Sequence, residues 1–129
     1  MPNPPEPTDR ELLILKVLWE RGEATVREVY ETLRGEVPIV QNTVQAFLRL
    51  MEGKGLVTHR TEGRSFVYRA TATGERTKKS LLTGLLDTVF DGALDQLVAS
   101  AFAAKKPTAA ELARLRELLA AAEQKRGGA

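Results

Sequence analysis

Four residues between positions 42 and 49 have side chains that could read the edges of nucleic-acid bases. Asn42 and Gln45 carry amides, Ala46 a methyl group and Arg49 a guanidinium, at the i, i+3, i+4, i+7 spacing of one helix face. Amides pair with adenine, a guanidinium pairs with guanine or phosphate, and small methyl groups pack on the thymine methyl. No acidic residue precedes Glu52 on this face. The pattern therefore predicts a helix that reads the major groove of duplex DNA.

Further DNA contacts are expected outside this face. Arg60 and Arg64 flank the turn 61–63 of a hairpin, where an arginine can follow a phosphate strand or enter a minor groove. Thr25 lies at a helix N-terminus, where backbone N–H groups can meet a phosphate. Solubility and plain helix capping are the simpler roles for these three residues. The complete set of expected DNA-binding residues is Thr25, Gln41, Asn42, Thr43, Gln45, Ala46, Arg49, Arg60 and Arg64.

The sequence offers little for catalysis or metal binding. It contains no cysteine and a single histidine, His59, which excludes disulfides, thiolate ligands and two-histidine zinc motifs. Glycine-rich phosphate loops and carboxylate clusters are also missing from it. We therefore expect no enzyme activity, no metal site and no cofactor, and we interpret His59 as a surface residue of the hairpin.

The candidate face belongs to the third of six predicted helices. Capping boxes that begin at Thr8, Thr25 and Thr108 mark helix starts, and glycines 22, 35, 55 and 92 suit helix ends. Apolar spacing predicts helices over about 9–21, 26–34, 41–53, 75–90, 93–104 and 109–124. Alternation predicts strands over 56–60 and 65–69. Two strands are marginal alone, so this hairpin must pack on the helices.

The third helix has an apolar stripe opposite the candidate face. Val44, Phe47, Leu48 and Met51 match the helical core pattern. A shift of two positions corresponds to about 200° around a helix, so the polar set should point away from the core.

The charge is distributed unevenly along a chain of 129 residues with a net charge of +2. Residues 1–37 carry a net charge of −3 and residues 38–72 a net charge of +3. A basic segment beside an acidic one suits a polyanion approached from one side, although scattered surface charge would give a similar difference.

The region after residue 73 is predicted to associate with a second copy. Three helices of about 50 residues bury too little core to be stable alone, and their exposed stripes would form a large apolar patch. A two-fold dimer removes this patch and sets two DNA-reading helices at a fixed spacing; folding back as a monomer is the alternative. The expected dimer residues are Leu81, Leu82, Leu85, Leu86, Val89, Phe90, Leu94, Leu97, Val98, Phe102, Leu112, Leu115 and Leu119.

Nothing in the sequence suggests a membrane protein. Spanning a bilayer takes about 20 apolar residues, and the first seven residues lack the basic start and apolar run of a secretory signal. We expect a cytoplasmic protein without membrane insertion.

Four stretches together resemble the BlaI/MecI family of penicillinase repressors: residues 8–19, 24–29, 42–57 and 64–68. The resemblance is close over 8–72 and looser over 73–123. It implies a mostly α-helical fold, with a winged-helix DNA-binding domain over 1–72 and a three-helix dimerisation domain over 73–129. The tail from about residue 125 has nothing to bury, so we expect it to be disordered. The resemblance also implies repression at a dyad-symmetric operator in antibiotic resistance, with recognition helix 41–53 and wing 56–69.

The chain departs from the family pattern at several positions. Ala46 replaces the usual threonine and Leu50 the usual arginine, so a different operator sequence is expected. In well-known members a membrane-bound sensor protease cuts an Asn-Phe bond in the fifth helix; the matching bond here joins Ala101 to Phe102. A copper-responsive branch uses C-terminal cysteines and is excluded. The alternatives are a winged-helix protein-interaction module, or a ligand-sensing regulator that is not controlled by proteolysis.

Overall fold

Capping residues set the starts of three helices in the computed structural model, which describes residues 6–128. At Thr8, Thr25 and Thr108 the threonine hydroxyl accepts the N–H of the glutamate three residues later, and that glutamate accepts the threonine N–H. The three predicted capping boxes are therefore confirmed. Each supplies partners for N–H groups that a helix leaves unpaired at its start.

The described chain contains six helices and three short strands. In chain order they are α1 (Asp9–Arg21), β1 (Ala24–Thr25), α2 (Val26–Leu33), α3 (Gln41–Gly53), β2 (Val57–Glu62), β3 (Ser65–Ala70), α4 (Gly74–Thr88), α5 (Leu94–Ala104) and α6 (Ala109–Gly127). The chain divides into two compact units, the first ending at Thr83 and the second beginning at Gly84.

Glycines end two of the first three helices as predicted. Gly22 and Gly55 have φ angles of 85° and 83°, the left-handed region that glycine adopts without steric cost. Gly35 does not have a positive φ, and α2 ends one residue earlier, at Leu33 with Arg34 as its cap. The prediction for Gly35 was wrong because a right-handed turn follows this helix.

The core of the first unit lies where the apolar faces of α1, α2 and α3 meet. Its buried helical side chains include Ile14, Leu18, Val29, Leu33 and Leu48. Each fully buried side chain of this size contributes roughly 1.5–3 kcal/mol of hydrophobic stabilisation. This packing fixes α3 in one rotational setting, with one face inward and the other in solvent.

The strands form a three-stranded antiparallel sheet in the order β1-β3-β2. Tyr68 of β3 pairs with His59 of β2 on one side and with Ala24 of β1 on the other. The sequence predicted the hairpin, with Gly63 in its turn, but not β1. Strand β1 has only two residues, too few to show the alternation of apolar and polar side chains that reveals a strand. Strand β1 adds a third strand to the hairpin, and this stabilises a sheet that would be marginal with two strands.

The first turn of α4 belongs to the first unit. The Trp19 indole N–H donates to the carbonyl oxygen of Ala72 at 2.9 Å. A Cβ atom on Gly74 would lie 3.2 Å from the Trp19 ring, so the chain can pass this closely because it has no side chain there. These contacts attach the start of α4 to α1, so the first compact unit extends beyond residue 72, the predicted end of the first domain.

The second unit has no buried side chain among residues 84–128. Many of its large apolar residues are exposed instead, including Leu85, Val89, Leu94, Phe102 and Leu119. Helix α6 continues to Gly127, so the predicted disorder from about residue 125 was wrong. Lys125 and Arg126 occupy its last turn, where positive charge interacts favourably with the helix dipole.

Candidate nucleic-acid interface

The polar face of α3 is open to solvent. Asn42, Gln45, Ala46 and Arg49 are all exposed, as are Gln41 and Thr43 on its flanks. On the opposite side Val44, Leu48 and Met51 are each 0% exposed. The structure therefore brings the six predicted α3 residues onto one accessible surface and anchors it through the core.

An ion pair ties the end of α3 to the start of α1. Lys54 Nζ lies 2.8 Å from Glu11 Oε2 and 3.1 Å from Glu11 Oε1. Glu11 is only 1% exposed, and its Oε1 also accepts the N–H of Thr8. Burial raises the pKa of Glu11, but the hydrogen bonds from Lys54 and Thr8 outweigh it, so the pKa is lowered overall. From the sequence Glu11 could be predicted only as a capping residue, because no pattern relates positions 11 and 54.

A second polar contact ties α3 to the hairpin. His59 Nδ1 on β2 donates to both carboxylate oxygens of Glu52, at 2.7 and 2.8 Å. The His59 ring stacks on Phe66 with 4.1 Å between centroids and tilts against Tyr68 at 5.3 Å. Burial, followed by the nearby Glu52 carboxylate, raises the pKa of Tyr68. His59 is thus a half-buried link between two elements, not the free surface residue expected from sequence.

Arg60 is held by carboxylates and does not project freely. Its Nη2 lies 2.7 Å from Glu23 Oε1 and its Nη1 2.6 Å from Glu62 Oε2. These pairs, first Glu23 and then Glu62, raise the pKa of Arg60, while Arg60 lowers the pKa of Glu23. Arg64, on the other side of the turn, is exposed, and no acidic group pairs with it within residues 6–128.

The charges around α3 leave an excess of free cations. Arg49, Arg64 and Arg69 are exposed and make no ion pair within the described chain. Of the nearby acids, Glu62 pairs with Arg60 and Glu52 accepts a hydrogen bond from His59. The surface formed by α3 and the hairpin therefore presents three arginines that are free to meet a polyanion.

Helix N-termini differ in how their N–H groups are used. Both the hydroxyl and the backbone N–H of Thr25 are occupied in its capping box. Helix α3 follows Val40, and no side chain caps it in the part of the chain that the structure describes. Its first N–H groups are therefore better placed than Thr25 to meet an anion.

Other kinds of site find no support in residues 6–128. No group of three or more His, Cys, Asp or Glu side chains could hold a metal ion there. None of the helices in that range is both long and apolar enough to pass through a membrane.

Comparison with known families decides the assignment. The model of the family described as Penicillinase repressor matches residues 7–121. The chain belongs to the penicillinase repressor family. The penicillinase repressor of Bacillus licheniformis is 28% identical over 94 residues, which cover 73% of each chain.

Solved structures of a repressor from this family share the fold of the first unit. The solution structure of the DNA-binding domain of the repressor BlaI matches with a TM-score of 0.51 and 31% identity, covering 57% of this chain and 90% of that one. The monomeric form of Bacillus licheniformis BlaI in complex with the blaP half-operator matches with a TM-score of 0.50 and 31% identity, covering 58% and 92%. The predicted winged-helix fold is confirmed, with β2, β3 and their turn as the wing.

Proposed function

We propose that this chain is a transcriptional repressor that binds duplex DNA, with α3 in the major groove and the wing beside it. The observation that carries the proposal is the exposed set Asn42, Gln45 and Arg49 opposite a fully buried stripe on α3. The half-operator complex of BlaI, whose fold the first unit shares, supports DNA as the partner. Because the DNA of a cell that makes such a repressor lies in its cytoplasm, we also propose a cytoplasmic location.

The residues of α3 divide the recognition task by their chemistry. Asn42 and Gln45 would pair with adenine edges, and Arg49 with guanine or a phosphate. Thr43 and Ala46 would present methyl groups to thymine. Gln41 lies at the uncapped helix start, beside N–H groups that suit a phosphate.

Phosphate contacts from outside α3 should differ in strength. Arg64 is exposed at the tip of the wing and would track a DNA strand. Arg60 and Thr25 are already engaged, Arg60 by Glu23 and Thr25 by Glu28. We therefore assign Arg64 the main role outside α3, and Arg60 and Thr25 smaller ones.

We further propose that the repressor is a homodimer held together by its second unit. That unit buries none of its described side chains, and residues such as Val89, Leu94 and Leu119 are more than half exposed. Pairing through a two-fold axis would cover these residues and match a dyad-symmetric operator. Joining two DNA-binding units makes the second contact intramolecular and raises avidity by roughly 10²–10⁴.

Release from DNA would follow from any event that separates the second units. The bond between Ala101 and Phe102 lies in α5, and both residues are exposed. A cut there would split α5, and a membrane-bound sensor protease is the class of partner that the family resemblance implies. Loss of the dimer would lower operator affinity by about the avidity factor given above.

Selection from random duplexes tests the DNA-binding proposal. The full chain is incubated with a random duplex library and excess non-specific competitor, and the bound DNA is sequenced. We expect enrichment of an inverted repeat, with binding that falls steeply as salt rises because counterions are released. Recovery of no sequence above the random background would refute sequence-specific repression.

A further inference from the structure

Helix α3 carries one large apolar side chain that its core does not use. Leu50 is 60% exposed, whereas the core residues Val44, Leu48 and Met51 are fully buried. A single exposed leucine is common in folded proteins and needs no explanation by itself. The position of Leu50 beside Arg49, on the proposed reading surface, is what makes it informative.

Leu50 continues a column of small apolar groups along the helix. It follows Ala46 by four residues and Thr43 by seven, so the three side chains lie nearly above one another. All three are exposed. Seven residues of helix rise about 10 Å, roughly the length of three base steps in duplex DNA. The column therefore lies along the helix next to Asn42 and Arg49, the side chains that are proposed to hydrogen-bond with bases.

The surroundings of Leu50 favour DNA over a protein as its partner. A protein-binding surface has a core of large apolar and aromatic groups, but next to Leu50 this helix exposes Arg49 and Ala46. The nearest acid on α3, Glu52, is held by His59. In the major groove, the thymine C5-methyl is the apolar group that such a side chain can meet.

We propose that Thr43, Ala46 and Leu50 form an apolar column that packs on thymine methyl groups, and that Leu50 is a specificity-determining residue for A·T pairs. This inference rests on the proposed DNA-binding function and adds the chemical class of base that α3 selects. Because Leu50 makes no core contact, its contribution is expected to appear in binding and not in folding.

The test uses the full chain and the duplex recovered by the selection above. Each thymine of that duplex is replaced in turn by deoxyuridine, which lacks only the C5-methyl. Thymines that meet Thr43 or Ala46 should show a loss of affinity that does not depend on the residue at position 50. At the thymine that meets Leu50 we expect a loss of about fourfold, the value of one buried methyl group. Leu50→Met should keep this loss, whereas Leu50→Gln, similar in length but polar, should abolish it.

Arg49→Ala is the matched control for this experiment. This variant should weaken binding to the thymine duplex and to the deoxyuridine duplex by the same factor. The ratio between the two affinities should stay as in the wild type, because the variant removes a neighbouring contact and leaves the contact of Leu50 in place. Thermal melts of the three variants establish that they fold as the wild type does.

The outcomes separate the inference from the function on which it rests. A selected site that tolerates deoxyuridine at every position, or an unchanged methyl effect in Leu50→Gln, overturns the methyl-reading role while sequence-specific binding stands. A change of oligomeric state in Leu50→Gln without a change in the methyl effect overturns it in favour of a protein contact. If no duplex is enriched at all, the proposed function and this inference fail together.

Discussion

At the scale of single residues, α3 separates side chains that are proposed to read DNA from side chains that hold the helix in place. Arg49 is exposed without an ion pair in the described range, while Lys54 is paired with the buried Glu11. The exposure of Arg49 could be predicted from the sequence, because an amphipathic period sorts residues by face. The pairing of Lys54 could not, because Glu11 and Lys54 meet only through tertiary packing.

Replacing Arg49 by alanine tests the reading role. We expect Arg49→Ala to cost about 1–3 kcal/mol at the selected duplex and to relax the sequence preference at one position. Fluorescence anisotropy with matched and single-base variant duplexes measures both effects. Lys16→Ala, which removes an exposed cation from α1, is the control and should leave the preference intact. An equal loss on every duplex would show that Arg49 contacts phosphate instead.

Replacing Glu11 by glutamine tests the holding role. The variant loses the charge that Lys54 meets, so we expect a loss of about 1–2 kcal/mol in the free energy of unfolding at neutral pH. The lowered pKa of Glu11 means that its stabilisation is present above the unfolded pKa of about 4.3 and is lost as pH falls through the lower folded value.

Chemical denaturation at a series of pH values measures this effect. The wild type should lose more stability than Glu11→Gln as the pH falls below about 4.3. Glu36→Gln, at an exposed position, should follow the wild type. Parallel curves for the wild type and Glu11→Gln would show that Glu11 adds nothing to the acid sensitivity.

At the scale of elements, the sequence predicts helices well and contacts between elements poorly. The capping boxes of α1, α2 and α6 are local signals, and the structure contains all three. Strand β1 spans two residues, too few for a pattern, and its pairing with β3 is long-range. The hydrogen bond between Glu52 and His59 joins a helix to a strand, so no periodicity reveals it. The position of the wing relative to α3 could therefore not be predicted from the sequence.

Breaking the link between Glu52 and His59 should loosen the wing. His59→Phe keeps a ring to stack on Phe66 but loses the hydrogen bond to Glu52. We expect DNA affinity to fall by about twofold to tenfold, the value of one net hydrogen bond. Faster amide exchange in β2 and β3 should accompany this loss. Thr58→Val, at the preceding position of β2, is the control. Unchanged exchange in His59→Phe would show that the wing is positioned by the sheet alone.

At the scale of the whole molecule, the two units contrast in how they bury apolar surface. The first unit has a closed core that includes Leu18, Val29 and Leu48, whereas the second has no buried side chain among its described residues. The lack of a core in the second unit could be predicted from its apolar stripes, because three short helices are too small to bury these stripes among themselves. Which surface would cover these residues in the proposed dimer cannot be predicted from apolar spacing, because spacing identifies an exposed stripe and not its partner.

Introducing charge into the apolar face of α4 tests the assembly. We expect the double variant Leu85→Asp and Leu86→Asp to be monomeric in sedimentation experiments, because two carboxylates would have to be buried without partners. Its affinity for the selected inverted repeat should fall by roughly 10²–10⁴, to that of a single DNA-binding unit. Thr88→Asp adds a charge at an exposed position of α4 without removing apolar surface and should remain a dimer. A double variant that sediments as the wild type does would remove the proposed interface. A monomer that binds the repeat as tightly would show that the second unit does not supply the proposed avidity.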